Sequence, residues 1–132
     1  MVANVSATCL DDMQRMADLA YDCGYDVVMA LPPYYFGQTA HQLECYYREL
    51  GQRFAGQWYA YNFPARTGCD LDAPLVVRLA ADIPNFAGIK DTVTTPTHTR
   101  GITQAVKKIR PDFAVLAGYD DCFISNLLYG GD

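Results

Sequence analysis

The sequence predicts a parallel α/β fold, a partial (β/α)8 barrel (TIM barrel) of about five βα units in a single incomplete domain, 1–132. Three observations carry this reading. Apolar runs suited to buried strands begin near residues 2, 27, 57, 86 and 113. A helical apolar pattern follows each run, and such alternation builds parallel sheets. The spacing is nearly even, and a full barrel takes about 250 residues, so the chain corresponds to roughly five-eighths of one. Spacing alone does not separate a barrel from an open doubly wound sheet. No Gly-rich phosphate fingerprint follows any strand, which weakens the nucleotide-binding version of the open sheet.

Met1 to Val5 reads as the first short strand. Asp11 and Asp12 open a helix that carries Met13, Met16, Ala17, Leu19 and Ala20 on one side, and Gly24 closes it. Asp26 to Leu31 is continuously apolar after its first residue, as a strand covered on both faces should be. Pro32-Pro33 stops it, and Tyr34-Tyr35-Phe36-Gly37 forms a loop. Thr39 is placed to cap a helix through about Gly51 that buries Leu43, Tyr46, Tyr47 and Leu50. Gln57 to Asn62 is the third strand, closed by Phe63-Pro64 and a turn to Gly68. A helix then starts at Ala73-Pro74, with proline in its first turn. Pro84-Asn85 leads into a fourth strand that ends at Lys90. The segment Thr92 to Thr99 opens a helix carrying Ile102, Ala105, Val106 and Ile109. Phe113 to Ala117 is the fifth strand, Gly118-Tyr119-Asp120-Asp121 its exit loop, and Cys122 to Tyr129 a last helical piece.

Composition narrows the function classes. Hydrophobic residues make up 51% and charged residues 19%, which suits a folded globular chain rather than a disordered one. The net charge of -5 comes without any basic run, so nucleic acid is not expected as a partner. The five cysteines, at 9, 23, 45, 69 and 122, lack metal or redox spacing and are odd in number. Free thiols in a reducing, cytoplasmic setting follow. No leader-like segment and no apolar run near 18 residues is present, so neither secretion nor a membrane span is expected.

In parallel α/β folds the ligand site lies at the carboxyl ends of the strands. Those ends here deliver Tyr34 and Tyr35, then Tyr61, Asn62 and Arg66, then Lys90 and Asp91, then Gly118, Tyr119 and Asp120. Lys90 stands out because it ends an apolar run and because the chain has only three lysines. A lysine amine can add to a ketone and form a protonated Schiff base, whose pull on electrons permits proton loss or C–C cleavage. A tyrosine hydroxyl can both give and take the protons involved. An arginine fork suits a substrate carboxylate. Metal-dependent chemistry would want clustered histidines, and His41 and His98 are the only two, neither at a strand end, so no metal and no cofactor is expected. Taken singly, each residue has a plainer reading: a solvated lysine, packed tyrosines, or an Arg66 paired with Asp70 or Asp72.

Four segments in order decide between these readings. Tyr61-Asn62-Phe63-Pro64-Ala65-Arg66-Thr67-Gly68 resembles the YNxPxRTG signature of the dihydrodipicolinate synthase / N-acetylneuraminate lyase family. Gly88-Ile89-Lys90-Asp91 is similar to its Schiff-base lysine motif, Pro33-Tyr34-Tyr35 to its P-Y-Y loop, and Gly118-Tyr119-Asp120-Asp121 to its GxDD turn. The resemblance implies a (β/α)8 barrel that acts on pyruvate or a related 2-keto acid, with an aldehyde as the second small molecule, in a homotetramer or homodimer. It implies that Lys90 forms the Schiff base, Tyr61 moves the proton, and Tyr35 reaches a neighbouring subunit's site. Arg66 and Gly118 would contact substrate. Arg66 favours the synthase branch, which condenses pyruvate with aspartate semialdehyde to give 4-hydroxy-tetrahydrodipicolinate. Gly88 to Thr92 and Gly118 to Asp121 read more like the 2-keto-3-deoxy sugar-acid aldolases, the reading slightly favoured. The family's carboxylate-binding Gly-Thr-Thr segment and its last strand have no counterpart here. A fragment of the full enzyme is therefore expected, with a non-catalytic truncated product or keto-acid-binding protein as the alternative.

Overall fold

A computed structural model describes all residues, 1–132. The elements run β1 (Val2–Asn4), α1 (Leu10–Asp22), β2 (Val27–Ala30), α2 (Ala40–Arg53), β3 (Trp58–Asn62), α3 (Pro64–Thr67), α4 (Ala73–Asp82), β4 (Phe86–Asp91), α5 (Pro96–Val106), β5 (Ala114–Ala117), a 3-10 turn (Asp120–Cys122) and α6 (Phe123–Leu128). All strand pairs are parallel, and the strands lie side by side in chain order. A doubly wound sheet reverses direction at a switch point. This sheet never reverses, so it is an arc of a barrel, as the even spacing predicts.

Parity along the strands divides the sheet into two different faces. Val28, Ala30, Trp58, Ala60, Ile89 and Val115 are buried on the face covered by the helices. The alternate positions Met29, Tyr59, Tyr61, Lys90 and Leu116 are only half-buried on the other face. Trp58 anchors the covered side. It stacks on Phe86 at 4.5 Å and on Tyr47 at 5.8 Å between ring centroids. Between Trp58 and Tyr59 the pairing with β4 slips by one residue, Trp58 opposing Phe86 and Tyr59 opposing Gly88. Gly88 is required there, because a Cβ would lie 2.8 Å from the Tyr59 ring and 2.8 Å from the Ala114 carbonyl oxygen.

Local chemistry explains the boundaries. Thr39 and Gln42 form a reciprocal capping box, Gln42 N donating to Thr39 Oγ1 and Thr39 N to Gln42 Oε1. Asp72 caps α4 by accepting from Leu75 N. Three expectations need correcting. The turn after Asn62 is a short helix, α3, closed by Gly68 in the left-handed region at φ 69. The threonine segment is loop as far as Thr95, and α5 starts only at Pro96, whose missing N–H costs nothing in a first turn. Met16 and Leu19 are exposed on α1, Ile109 lies exposed beyond α5, and Tyr46 is half-buried with its hydroxyl donating to the Leu31 carbonyl. No helix is long and apolar enough to cross a membrane.

Asn85 closes the covered side at its amino-terminal edge. Its side chain accepts from Trp58 Nε1 at 3.3 Å and donates to the carbonyls of Gly51 at 3.1 Å and Phe54 at 2.8 Å. Asn85→Ala leaves these groups unpaired and is expected to lower stability by about 1–3 kcal/mol, read from the shift in denaturant midpoint.

Candidate active site

The register of β3 and β4 sets Tyr61 directly opposite Lys90 and Asn62 directly opposite Asp91. Successive side chains point to opposite faces, so the two pairs lie on opposite sides of the sheet. Lys90 and Tyr61 share the open face, with Lys90 Nζ 4.3 Å from the Tyr61 ring centroid. Lys107 by contrast is bridged to Asp132. No carboxylate comes within ion-pair distance of Lys90. Tyr61 stacks on Phe63 at 5.9 Å, and Phe63 meets Tyr119 edge-on at 6.2 Å. This aromatic row joins the exits of β3 and β5 beside the lysine.

Gly118 N donates to the Asp91 carbonyl, which carries the ladder one step past β5. A Cβ on Gly118 would fall inside the Thr92 side chain. Thr92 itself is buried, and its hydroxyl has no protein partner. A groove of about 540 Å³ opens next to this contact, with Pro64, Ala65, Thr92, Thr95, His98 and Tyr119 among its lining residues. Neither Lys90 nor Tyr61 lines this groove.

The other predicted residues stay apart. Tyr35 is 88% exposed at the tip of the β2–α2 loop, its ring meeting the edge of Phe36. It is the one non-glycine residue at positive φ, 85°, an uncommon and strained conformation for a bulky side chain. Arg66 is exposed in α3 and makes no ion pair, so neither Asp70 nor Asp72 neutralises it. Asp120 lies in the 3-10 turn, where neither it nor Asp121 provides a side-chain cap.

Sequence reading missed the groups behind the site. His98 does lie at a strand end in space, because α5 folds back onto β4. Its Nδ1 is 3.0 Å from Asp91 Oδ2 and its Nε2 is 3.3 Å from Asp70 Oδ1. Asn62 Nδ2 donates to Asp91 Oδ1 at 2.8 Å and to Asp70 Oδ1 at 2.9 Å, while its Oδ1 accepts from Leu71 N. Thr99 Oγ1 donates to Asp91 Oδ2 at 2.6 Å. The Asp70 contact, then the Asp91 contact, raises the His98 pKa from 6.5 to about 10. The same His98 contact holds Asp70 below the usual carboxylate range. One sequence signal pointed here: an acid placed directly after Lys90 must face the helix side.

The profile of the dihydrodipicolinate synthetase family matches residues 1–132. A probable 2-dehydro-3-deoxy-D-pentonate aldolase, YjhH of Escherichia coli K12, is 36% identical over all of this chain and 44% of its own length. A putative 2-dehydro-3-deoxy-D-gluconate aldolase, YagE of the same organism, is 39% identical over 89% of this chain and 39% of its own length. The crystal structure of YagE in complex with pyruvate superposes with a TM-score of 0.93, at 34% identity, over 99% of this chain and 44% of that one. Dihydrodipicolinate synthase from Thermotoga maritima gives a TM-score of 0.92 at 27% identity over the same shares. The chain thus spans under half the length of these relatives.

Two measurements test this geometry. Gly118→Ala is expected to destabilise by about 1–3 kcal/mol, because Thr92 cannot retreat without moving its own backbone, and thermal unfolding reads the loss. His98 gains its partners only on folding, so its pKa is raised by folding. Its contribution is therefore complete below about pH 6.5 and fades as pH climbs toward about 10. Asp70 acts in the opposite sense, its contribution fading as pH falls into the carboxylate range. Denaturant midpoints measured against pH should decline on the alkaline side, and His98→Gln should flatten that decline.

Proposed function

Because the chain belongs to the dihydrodipicolinate synthetase family, we propose that it carries the Schiff-base residues of a class I carbon–carbon lyase. The substrate is pyruvate or a 2-keto-3-deoxy acid, and no cofactor takes part. The observation that carries the reading is Lys90, free of any ion pair, held 4.3 Å over the Tyr61 ring on the open face of the sheet. The Lys90 amine adds to the C2 carbonyl to give a carbinolamine. Loss of water leaves a protonated imine. The imine draws the C3–C4 bonding pair into an enamine, while a base takes the C4 hydroxyl proton and an aldehyde departs. Protonation at C3 and hydrolysis then release the 2-keto acid and restore the amine. Tyr61 is the group assigned to these proton transfers.

The sugar-acid aldolases among the relatives reported above favour a 2-keto-3-deoxy acid. A second reading, 4-hydroxy-tetrahydrodipicolinate synthase condensing pyruvate with aspartate semialdehyde, is favoured by Arg66, whose exposed and unpaired guanidinium can fork onto a second carboxylate. Gly118 is assigned to substrate contact at the exit of β5, where its missing Cβ lets the backbone pack directly against Thr92. Tyr35 fits contact with a second subunit, since its strained backbone holds a large ring out in solvent. The reading includes a homodimer or homotetramer of the longer protein and a cytoplasmic location, the latter supported by cysteines that form no disulfide.

Borohydride reduction in the presence of pyruvate should add mass at Lys90 alone, and Lys90→Ala should abolish the adduct. Tyr61→Phe should keep the same site of modification but slow its formation by about 10²-fold. An absent adduct, or one on Lys107 or Lys108, points instead to a non-catalytic truncated product or keto-acid-binding protein.

A further inference from the structure

The cluster formed by Asn62, Asp70, Asp91, His98 and Thr99 lies on the side of the sheet opposite Lys90. It includes neither the lysine nor its tyrosine, and the lyase chemistry does not use it. Its members nonetheless come from the segments that follow Tyr61 and Lys90 in the chain. Asn62 and Asp91 are the last residues of β3 and β4, Asp70 is in the loop after α3, and His98 and Thr99 are in the first turn of α5. Asp91 is 1% exposed and Asn62 is fully buried, so neither can turn to water for a partner. His98 Nδ1 hydrogen-bonds Asp91 Oδ2 at 3.0 Å, while its Nε2 lies 3.3 Å from Asp70 Oδ1, within ion-pair distance but without a directed hydrogen bond. The backbone bonds around the cluster point the same way, with Thr92 N donating to Asn62 O and Gly118 N donating to Asp91 O.

We propose that His98 is a positioning residue, a cation clamped between Asp70 and Asp91 that holds the ends of β3 and β4 in the register that sets Lys90 over Tyr61. A rotation of the Asp91 peptide turns the adjacent Lys90 side chain, because the two residues share one peptide unit at the end of the strand. Asp91 turns when it loses a donor, since a buried carboxylate cannot be left short of partners. His98 thereby acts on the lysine through the backbone without touching substrate. The proposal takes from the lyase reading only that the orientation of Lys90 matters for reaction.

Proton NMR on the full chain tests it directly. The Tyr61 ring should shift the Lys90 ε-methylene protons upfield in the unmodified protein. In His98→Gln, a neutral side chain of similar reach, these signals should return toward solvent values while the Trp58 indole signal keeps its position. Plain destabilisation would move both reporters. An upfield Lys90 signal retained in His98→Gln overturns the proposal, whatever the protein does with pyruvate. In borohydride trapping, His98→Gln should lower the rate at saturating pyruvate about tenfold and leave the half-saturating concentration unchanged. Trapping at the unmodified rate also overturns it. If the unmodified chain traps no pyruvate, the lyase reading fails, and the methylene signal alone decides the role of His98.

Discussion

A carboxylate taken out of water must find donors for both of its oxygens, and Asp91 is buried to within 1%. Its donors are Asn62, Thr99 and His98, drawn from one neighbouring strand and one helix. The demand is local, but the answer reaches across the fold. It ties β3 to β4, folds the start of α5 down onto the strand ends, and brings the loop after α3 in through Asp70. The open face of the sheet inherits its order from this closed one. Tyr61 and Lys90 stand where they do because the residues immediately after them cannot move.

The two faces therefore meet different electrostatic demands. Behind the sheet, both oxygens of the buried Asp91 carboxylate accept hydrogen bonds, from Asn62, Thr99 and His98. In front, Lys90 has an aromatic ring for company and no counter-ion, and Thr92 keeps a hydroxyl without a protein partner. The open side thus keeps polar capacity that no protein group uses, next to a buried carboxylate whose own oxygens are paired.

Much of this was legible in the residues. The strand runs, the capping threonine and the proline-led helix are local signals, and local signals survive folding. The four family segments placed Lys90 and Tyr61, and strand pairing sets them side by side. What escaped was relational. His98 looked remote from any strand end because it lies seven residues beyond Asp91, and only the fold-back of α5 shortens that distance to 3.0 Å. Met16 and Leu19 fit an apolar stripe, yet α1 leaves them exposed because its buried contact is narrower, made by Met13, Ala17 and Ala20. Tyr35 offered no local sign of a left-handed backbone, a conformation usually reserved for glycine or asparagine.

The slip in pairing between Trp58 and Tyr59 separates β4 into two stretches with independent phase. Upstream, the phase is set by how Phe86 stacks on Trp58; downstream, by the ladder that ends at Asp91. The slipped residue acts as a clutch between them. The extra residue lets Phe86 face the covered core while Lys90, four positions on, faces the open side, although both belong to one strand of six residues.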